Sequence, residues 1–387
     1  MKFFHMADLH IGKIVNGYSM IDDQKALLDQ TVQYLIQEAP QALILAGDIY
    51  DRRNPSVEAI TLFDDFISKV VLELHIPVLA IGGNHDGGER LAFASHLLAN
   101  AGFYMAGHFK WPLPQVVLED EYGMVEYHFM SYADLSVIHA MVPETKQLDY
   151  AESMDFLLQQ LDLDMGHRHI LIAHGMVIGN QPLETSDSER MLSIGGTECW
   201  KSSALSSFDY VALGHLHRQQ KTGAEHIRYA GSLMQYSFSE EHHEKVILSV
   251  TMDAKGQCEI EKLPLQPIRH LKTIRGTLKE LVALPPHIVP YQKDYLRVLL
   301  EDKTPQIEPM QQLKQCFPYI MEMDYVDKKQ TKGSSLFATD EAKDVAESMN
   351  PMRLFDTFYT WATSDTPSES MQDIMEQLFN EVEEQHQ

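Results

Sequence analysis

Along the first hundred residues, apolar and polar positions follow two alternating periods. Short apolar runs at Phe3–Met6, Ala42–Ala46 and Val78–Ile81 are separated by Asp22–Gln37, Val57–Leu72 and Arg90–Ala101, where apolar residues recur at helical spacing. Short buried strands alternating with amphipathic helices predict an α/β sheet with helices packed outside it. Further strand-like runs at His169–Ala173, Tyr210–Leu213, Ile227–Ala230 and Val246–Val250 extend this layered domain to about residue 265.

Beyond that point the pattern changes. Pro264-Leu265-Gln266-Pro267 reads as a linker, followed by a smaller mixed α/β region over 266–349 and a helical segment over 350–387. Asn350-Pro351 places a proline at a helix start, with Leu354, Phe355, Phe358 and Trp361 at helical spacing behind it. A second start, Thr366-Pro367-Ser368-Glu369, has the form of a capping box. Met371, Ile374, Met375, Leu378, Phe379 and Val382 then form a stripe that needs an apolar cover, either its own domain or a partner. No Lys or Arg follows Arg353, and a terminal, Met-rich, aromatic stripe favours docking on a partner protein.

The chain has 387 residues with 31 Lys and Arg against 56 Asp and Glu, a formal net charge of −25. Such a balance excludes nucleic-acid binding by clustered basic residues alone, so any such role must borrow positive charge from metal ions or a partner. Three scattered cysteines, Cys199, Cys258 and Cys316, form neither a C-x-x-C knuckle nor a disulfide framework. Apolar runs stay far below the roughly 18 residues of a membrane span, and the opening Met1-to-Asp8 stretch lacks the apolar core of an export signal. A soluble, cytoplasmic protein is expected.

Five islands carry chemistry: Asp8-Leu9-His10, Gly47-Asp48-Ile49-Tyr50-Asp51-Arg52, Gly83-Asn84-His85-Asp86, Ala173-His174-Gly175 and Gly214-His215-Leu216-His217. Each lies at the end of one of those strand-like runs, so in an α/β sheet they converge on the rim at the strand ends, where such folds place their sites. Taken alone, each island is an ordinary turn with a packed or surface histidine. All five in one chain at predicted strand ends point to a metal site of oxygen and imidazole donors, a set suited to Mn, Fe or Zn. Residues i and i+2 of an extended segment share a side, so Asp8 with His10, and His215 with His217, can each offer two donors to one centre. Asp48, directly after a buried strand, is placed to bridge two ions. His5 reads as a packed core or edge histidine, and the remaining histidines, His242 and His243 included, give no reason to single them out.

These residues resemble the calcineurin-like dinuclear metallophosphoesterases, whose pattern is D-x-H, G-D-x-x-D, G-N-H-[DE], H and G-H-x-H. The match covers about the first 220 residues. Gly47–Pro55, Ser188–Gly196, Phe208–His217 and Ile227–Glu240 resemble more narrowly the SbcD family of nuclease subunits from bacterial SbcCD complexes, and this likeness runs over most of the chain. The resemblance implies a layered β-sandwich flanked by helices, with a smaller α/β cap domain and C-terminal helices. It assigns Asp8, His10 and His217 to one metal, Asn84, His174 and His215 to the other, Asp48 as the bridge and His85 as the catalytic histidine. Asp51 stands where eukaryotic and archaeal relatives often have a histidine; its role stays open, a turn or ion-pair partner for Arg52 or Arg53 being the plain reading.

The same resemblance implies a metal-dependent DNA nuclease, exonucleolytic on duplexes and endonucleolytic on single strands and hairpins, with two divalent ions, Mn²⁺ the expected pair. It also implies a partner, an SbcC-type ABC ATPase with long coiled coils, docked through the C-terminal helices by Leu354, Phe358, Trp361, Ile374, Leu378 and Phe379. No Walker motif occurs in this chain, so ATP dependence must come from that partner. A homodimer through Ser56–Leu72 and Arg90–Ala101, nucleoid association, and DNA contacts from Arg52, Arg53 and Asn54 complete the expectations. The competing readings are a dinuclear phosphoesterase for nucleotides or phosphoproteins, and a noncatalytic scaffold for the ATPase.

Overall fold

A computed structural model of the chain describes residues 1–189, 199–285 and 287–326, and beyond them positions 352, 355, 359, 367–368, 371–372 and 374–379. The chain divides into two units, Met1–Tyr325 and Val326–Gln387. Two six-stranded sheets organise the first unit. In one, the strands Lys2–Met6, Ala42–Ala46, Val78–Ile81 and Phe103–Ala106 run parallel, extended on one side by antiparallel Val246–Met252 and Cys258–Pro264. In the other, Gly123–Met130, Arg168–His174, Tyr210–Gly214 and Ala224–Tyr229 are parallel, flanked by antiparallel Gln115–Asp120 and Gln220–Thr222.

Strand alternation sorts side chains into three apolar layers. Phe3, Ile44 and Leu79 of the first sheet meet Tyr127, Ile170, Ile172 and Tyr210 of the second between the sheets. Phe4, Met6, Leu43 and Leu45 face the other way, onto Leu27, Leu28 and Leu35 of the helix Ile21–Glu38 and Phe63 and Phe66 of the helix Val57–Ser68. Leu171, Val211 and Leu213 pack similarly on Ile138, Met154, Leu157 and Trp200. Each such side chain, fully buried, contributes about 1.5–3 kcal/mol. The result is a helix–sheet–sheet–helix sandwich in which the central parallel strands Ala42–Ala46, Val78–Ile81 and Tyr210–Gly214 are buried on both faces, which is why they are continuously apolar rather than alternating. His5, completely buried in this sandwich, sets Nδ1 3.1 Å from the Tyr210 hydroxyl.

Two departures from the pattern-based expectation lie near the candidate rim or at a sheet edge. The helical stretch Arg90–Ala101 is two short helices, Gly88–Leu91 and Ser95–Ala99, broken at Ala94 with φ 58°. Its start is held by backbone packing of Gly88 against Gly107, so tertiary contacts override local helix preference. The hairpin of Gln115–Asp120 and Gly123–Met130 has no counterpart among the expected strands, because its outer strand alternates between exposed and half-buried residues. Val57–Leu72 is a helix to Ser68, capped by Ser56 Oγ accepting from Ala59 N at 3.2 Å, and continues through a wider turn of π type over Lys69–Glu73.

Residues 264–267 form a pinned connection. Leu265 is buried, its N–H donates to Lys245 O at 2.8 Å, and Gln266 exchanges backbone bonds with the Gln30 side chain at 2.6 and 3.0 Å. A third sheet follows, all parallel, of Leu271–Gly276, Tyr295–Leu300 and Ile320–Tyr325, with its own core of Ile274, Leu281, Val298, Leu313 and Phe317. It is tied to the sandwich through Asp23, which is fully buried and accepts from Arg269 N at 3.0 Å, Arg269 guanidinium at 3.0 Å and Tyr295 hydroxyl at 2.8 Å. Among the described residues no helix is long and apolar enough to cross a membrane.

Removing one side of a buried, hydrogen-bonded ion pair leaves the other uncompensated. The substitution Asp23→Ala is therefore expected to destabilise the chain by about 3 kcal/mol, read as a lower denaturation midpoint. A midpoint unchanged from the parent chain would show that Arg269 and Tyr295 find equal partners elsewhere.

Candidate metal centre

Parallel strands from both sheets end at one rim, and their last residues and first loops face each other there. Asp8 and His10 follow Lys2–Met6, Asp48 follows Ala42–Ala46, Asn84 and His85 follow Val78–Ile81, His174 closes Arg168–His174, and His215 and His217 follow Tyr210–Gly214. Four of them lie in the left-handed backbone region: Asp8 at φ 51°, His10 at 44°, Asp48 at 50° and His215 at 109°. Non-glycine residues held this way cost on the order of 1–3 kcal/mol each and persist only where surrounding structure fixes them. The approach is too close for side chains at the flanking glycines: a Cβ on Gly83 would strike the Asp48 carboxylate, and one on Gly214 the Ala46 carbonyl.

Donor atoms from both sheets converge on one small volume. His174 Nδ1 donates to Ala46 O at 2.9 Å, leaving Nε2 a lone pair, and that lone pair faces Asn84 Oδ1 at 2.9 Å and Asp48 Oδ2 at 3.5 Å. The same Asp48 Oδ2 is 3.7 Å from His10 Nε2, which is 3.1 Å from His217 Nε2. Asp48 therefore stands between two donor groups. Asp8, His10 and His217 form one set whose donor atoms all lie within 4.8 Å of one another, and Asp8, Asp48 and His174 form another. The His215 ring centroid is 5.6 Å from that of His174. Lone pairs facing one another in a buried site call for a cation, and oxygen with imidazole donors suit a divalent transition ion.

The electrostatics agree. Burial, then repulsion by Asp48, pushes the Asp8 carboxyl well above its ordinary range; burial lifts Asp48 to about 6, and burial with Asp48 beside it lifts Asp86 to about 7. Burial also disfavours imidazolium at His10, His215 and His217, and takes His174 down to about 4. Carboxylates that resist ionisation beside imidazoles that resist protonation make a site short of positive charge. Divalent ions would supply it.

A supporting shell orients these donors, as in metal sites generally. Asp8 accepts the His215 N–H at 2.9 and 3.0 Å, and Asp48 Oδ1 accepts the His85 N–H at 2.8 Å. Asp86 accepts from Ile49, Tyr50 and Gly83 N–H groups at 3.1, 2.9 and 3.0 Å, fastening two ligand loops together. His217 Nδ1 meets Ser188 Oγ at 2.7 Å and Glu240 at 3.2 Å, and its N–H donates to Glu189 at 2.7 Å. Burial would raise the Glu240 carboxyl, but Lys245, 2.5 Å away, and His217 outweigh it and hold Glu240 well below its ordinary range. Sequence patterns assign no role to Glu240, Lys245, Asp86 or Gln24, which donates to His10 O at 2.8 Å. Their roles arise only from folding.

His85 is half-buried beside this group, its ring 4.8 Å from that of His10, with Nδ1 3.1 Å from Asp51 O. A carbonyl oxygen only accepts, so Nδ1 carries the proton and Nε2 is the atom left for a ligand. Asp51 pairs with Lys13 at 2.7 Å and, more loosely, with Arg52 at 3.5 Å. Arg52 is largely exposed, whereas Arg53 and Asn54 line a cleft of about 520 Å³ with Asn84, Arg90 and Tyr132. Ile374 and Leu378 are exposed and Phe379 half-buried; Leu354, Phe358 and Trp361, like residues 190–196, lie outside the described residues.

Comparison with known proteins follows the same division of the chain. The family described as calcineurin-like phosphoesterase matches residues 1–219, and that described as type 5 capsule protein repressor C-terminal domain matches residues 264–362. The SbcD subunit of the nuclease SbcCD from Staphylococcus epidermidis is 33% identical over 328 residues, 84% of this chain and 86% of that protein. Among solved structures, a dimetal phosphatase from Danio rerio is 13% identical at a TM-score of 0.39, covering 69% of this chain and 99% of that one. Yfce, a phosphoesterase from E. coli, is 13% identical at a TM-score of 0.28, covering 69% of this chain and all of that one.

Raised carboxyls keep protons in the metal-free folded chain that the unfolded chain has already released. That contribution favours the metal-free fold in acid and is lost as pH rises through about 6 for Asp48 and about 7 for Asp86. Divalent ions replace those protons, so the gain in thermal midpoint on adding Mn²⁺ is expected to be larger at about pH 8 than at about pH 5.5. Equal gains at both would contradict this placement of the carboxyls.

Proposed function

We propose a function from one premise: the chain belongs to the calcineurin-like phosphoesterase family and, within it, to the SbcD nucleases of SbcCD complexes. It is a metal-dependent hydrolase of DNA phosphodiesters, the nuclease component of an SbcCD-type complex in DNA end processing, repair and recombination. The observation that carries this reading is the position of Asp48 Oδ2, 3.5 Å from His174 Nε2 and 3.7 Å from His10 Nε2, a single oxygen shared by two donor groups. Asp8, His10, His217 and Asp48 would hold one divalent ion, and Asn84, His174, His215 and Asp48 the other, with Mn²⁺ the proposed pair. Held there, divalent ions would supply Lewis-acid charge for the phosphodiester and a water nucleophile near neutral pH.

The protein residues then divide the remaining work. Asp8 and Asp48 present negative oxygens, and the backbone bonds they accept from His215 and His85 fix their direction before substrate arrives. His85, anchored through Nδ1–H on Asp51 O, turns Nε2 to the leaving oxygen, and with both ring nitrogens protonated it would give that oxygen a proton as the ester bond breaks. Arg53 and Asn54 on the neighbouring cleft would steady the strand, and Arg52 would meet backbone phosphate from its exposed position.

Partnership answers the charge problem. A chain of net charge −25 grips a long duplex poorly, so an SbcC-type ATPase with long coiled coils would bring the DNA, docking on the stripe from Leu354 to Val382. Exonuclease action in the 3′ to 5′ direction with hairpin cleavage, a homodimer, a cytoplasmic and nucleoid-associated setting, and domain limits at 265 and 349 belong to the same proposal.

The test is cleavage of an end-labelled DNA carrying single-stranded and hairpin segments, with Mn²⁺, by the parent chain and by His85→Ala. Removal of a general acid is expected to slow cleavage by about 10²–10⁴-fold while metal content stays the same. Full activity in the variant, or empty metal sites, would remove His85 from this role.

A further inference from the structure

Away from the rim, on the second sheet, another set of donor atoms converges. Glu126 and His128 are two residues apart on Gly123–Met130 and therefore share a face, while His169 lies opposite Glu126 in the register of the neighbouring parallel strand. Val125, Tyr127 and Phe129 fill the core between the sheets, so this trio projects to the outer face, with the Phe208 ring 5.6 Å from that of His128. His169 is five residues before His174 on one strand, about 16 Å at the rise of an extended chain. The trio is separate from the centre described above.

His128 Nε2 is 3.1 Å from His169 Nδ1, and Glu126 Oε2 is 3.5 Å from His169 Nδ1 and 3.9 Å from His128 Nε2. Nitrogen and oxygen ligands at about 2.0–2.1 Å from a tetrahedral ion stand roughly 3.3–3.4 Å apart, and the observed separations bracket that spacing. His169 Nε2 donates to Asp164 O at 2.9 Å, which leaves Nδ1 a lone pair. That lone pair faces His128 Nε2, and Glu126 Oε2 stands beside both nitrogens. The outer atoms have partners: the Gln115 amide nitrogen lies 3.2 Å from His128 Nδ1, so a metal-bound His128 requires that amide to turn its oxygen to the ring, and Glu126 Oε1 lies 2.5 Å from His167 Nδ1. His128 is completely buried and His169 nearly so.

We propose that Glu126, His128 and His169 bind a third divalent cation of borderline softness, Zn²⁺ by donor set and spacing. The ion cross-links two adjacent strands and, through His169 and Asp164, the turn that leads into Arg168–His174. Its fourth position falls to water or to His167. This site does not depend on the dinuclear centre or on the reaction proposed for it.

The full-length chain is stripped with chelator, reloaded with Zn²⁺, freed of unbound ion and analysed for metal per chain. Glu126→Gln and His169→Gln are each expected to hold one ion fewer than the parent, and Asp48→Asn to retain the ion that they lose. Reloading with Co²⁺ supplies a second readout: the strong visible absorption of a four-coordinate ion should persist in Asp48→Asn and vanish in Glu126→Gln. Should His169→Gln fail to fold, Glu126→Gln, at the half-buried rim of the trio, decides the matter. Equal metal content and an unchanged Co²⁺ spectrum in folded Glu126→Gln would overturn the proposal and leave a plain hydrogen bond between the two rings.

Discussion

Everything at the rim of the sandwich answers one electrostatic constraint: acidic and imidazole groups are buried together with too little positive charge among them. Uncompensated burial of an ion costs several kcal/mol, and the chain concentrates Asp8, Asp48 and Asp86 in one place. Protons alone would relieve the strain at low pH, and divalent ions relieve it at neutral pH while making the same atoms useful. Lys245 is the buried counter-charge nearby, but Glu240 consumes it, and the ammonium is directed to His217 O and Ser232 rather than to the ligands.

The carboxylates are structural as well as electrostatic. Asp8 from the first sheet accepts a backbone N–H at His215 on the second, so it joins the two halves of the sandwich where their strand ends meet. Asp48 and Asp86 join the loops after Ala42–Ala46 and Val78–Ile81 in the same way. A site assembled from five chain segments needs such ties, because loop ends otherwise drift by more than metal coordination allows. The acidic groups that create the charge problem thus also hold the geometry in which cations can solve it.

Which parts could be read from the sequence depended on the range of the interaction. The buried parallel strands announce themselves as unbroken apolar runs, and Ala42–Ala46 and Val78–Ile81 fall where those runs lie. Asp8 with His10, and His215 with His217, are legible because their spacing is local. The roles of Glu240 and Asp86 are not: besides local partners, each meets a site loop at His217 and Ile49, 23 and 37 residues away, and no spacing rule encodes that. The hairpin strand Gln115–Asp120 escaped for a different reason, being half-exposed and weakly patterned. Glu126, His128 and His169 escaped because the last is brought alongside only by strand pairing across 41 residues.

The left-handed backbone at Asp8 and Asp48 has a bearing on how this protein can change over generations and at the bench. Asparagine tolerates that region better than alanine or any branched residue. Exchange of either aspartate for asparagine therefore removes charge while leaving the loop's conformational preference largely intact, whereas alanine removes charge and disfavours the loop at once. An inactive descendant is more accessible by the first route than the second. Loss of catalysis and loss of fold are separable at these positions, and a scaffold without activity lies one conservative substitution away.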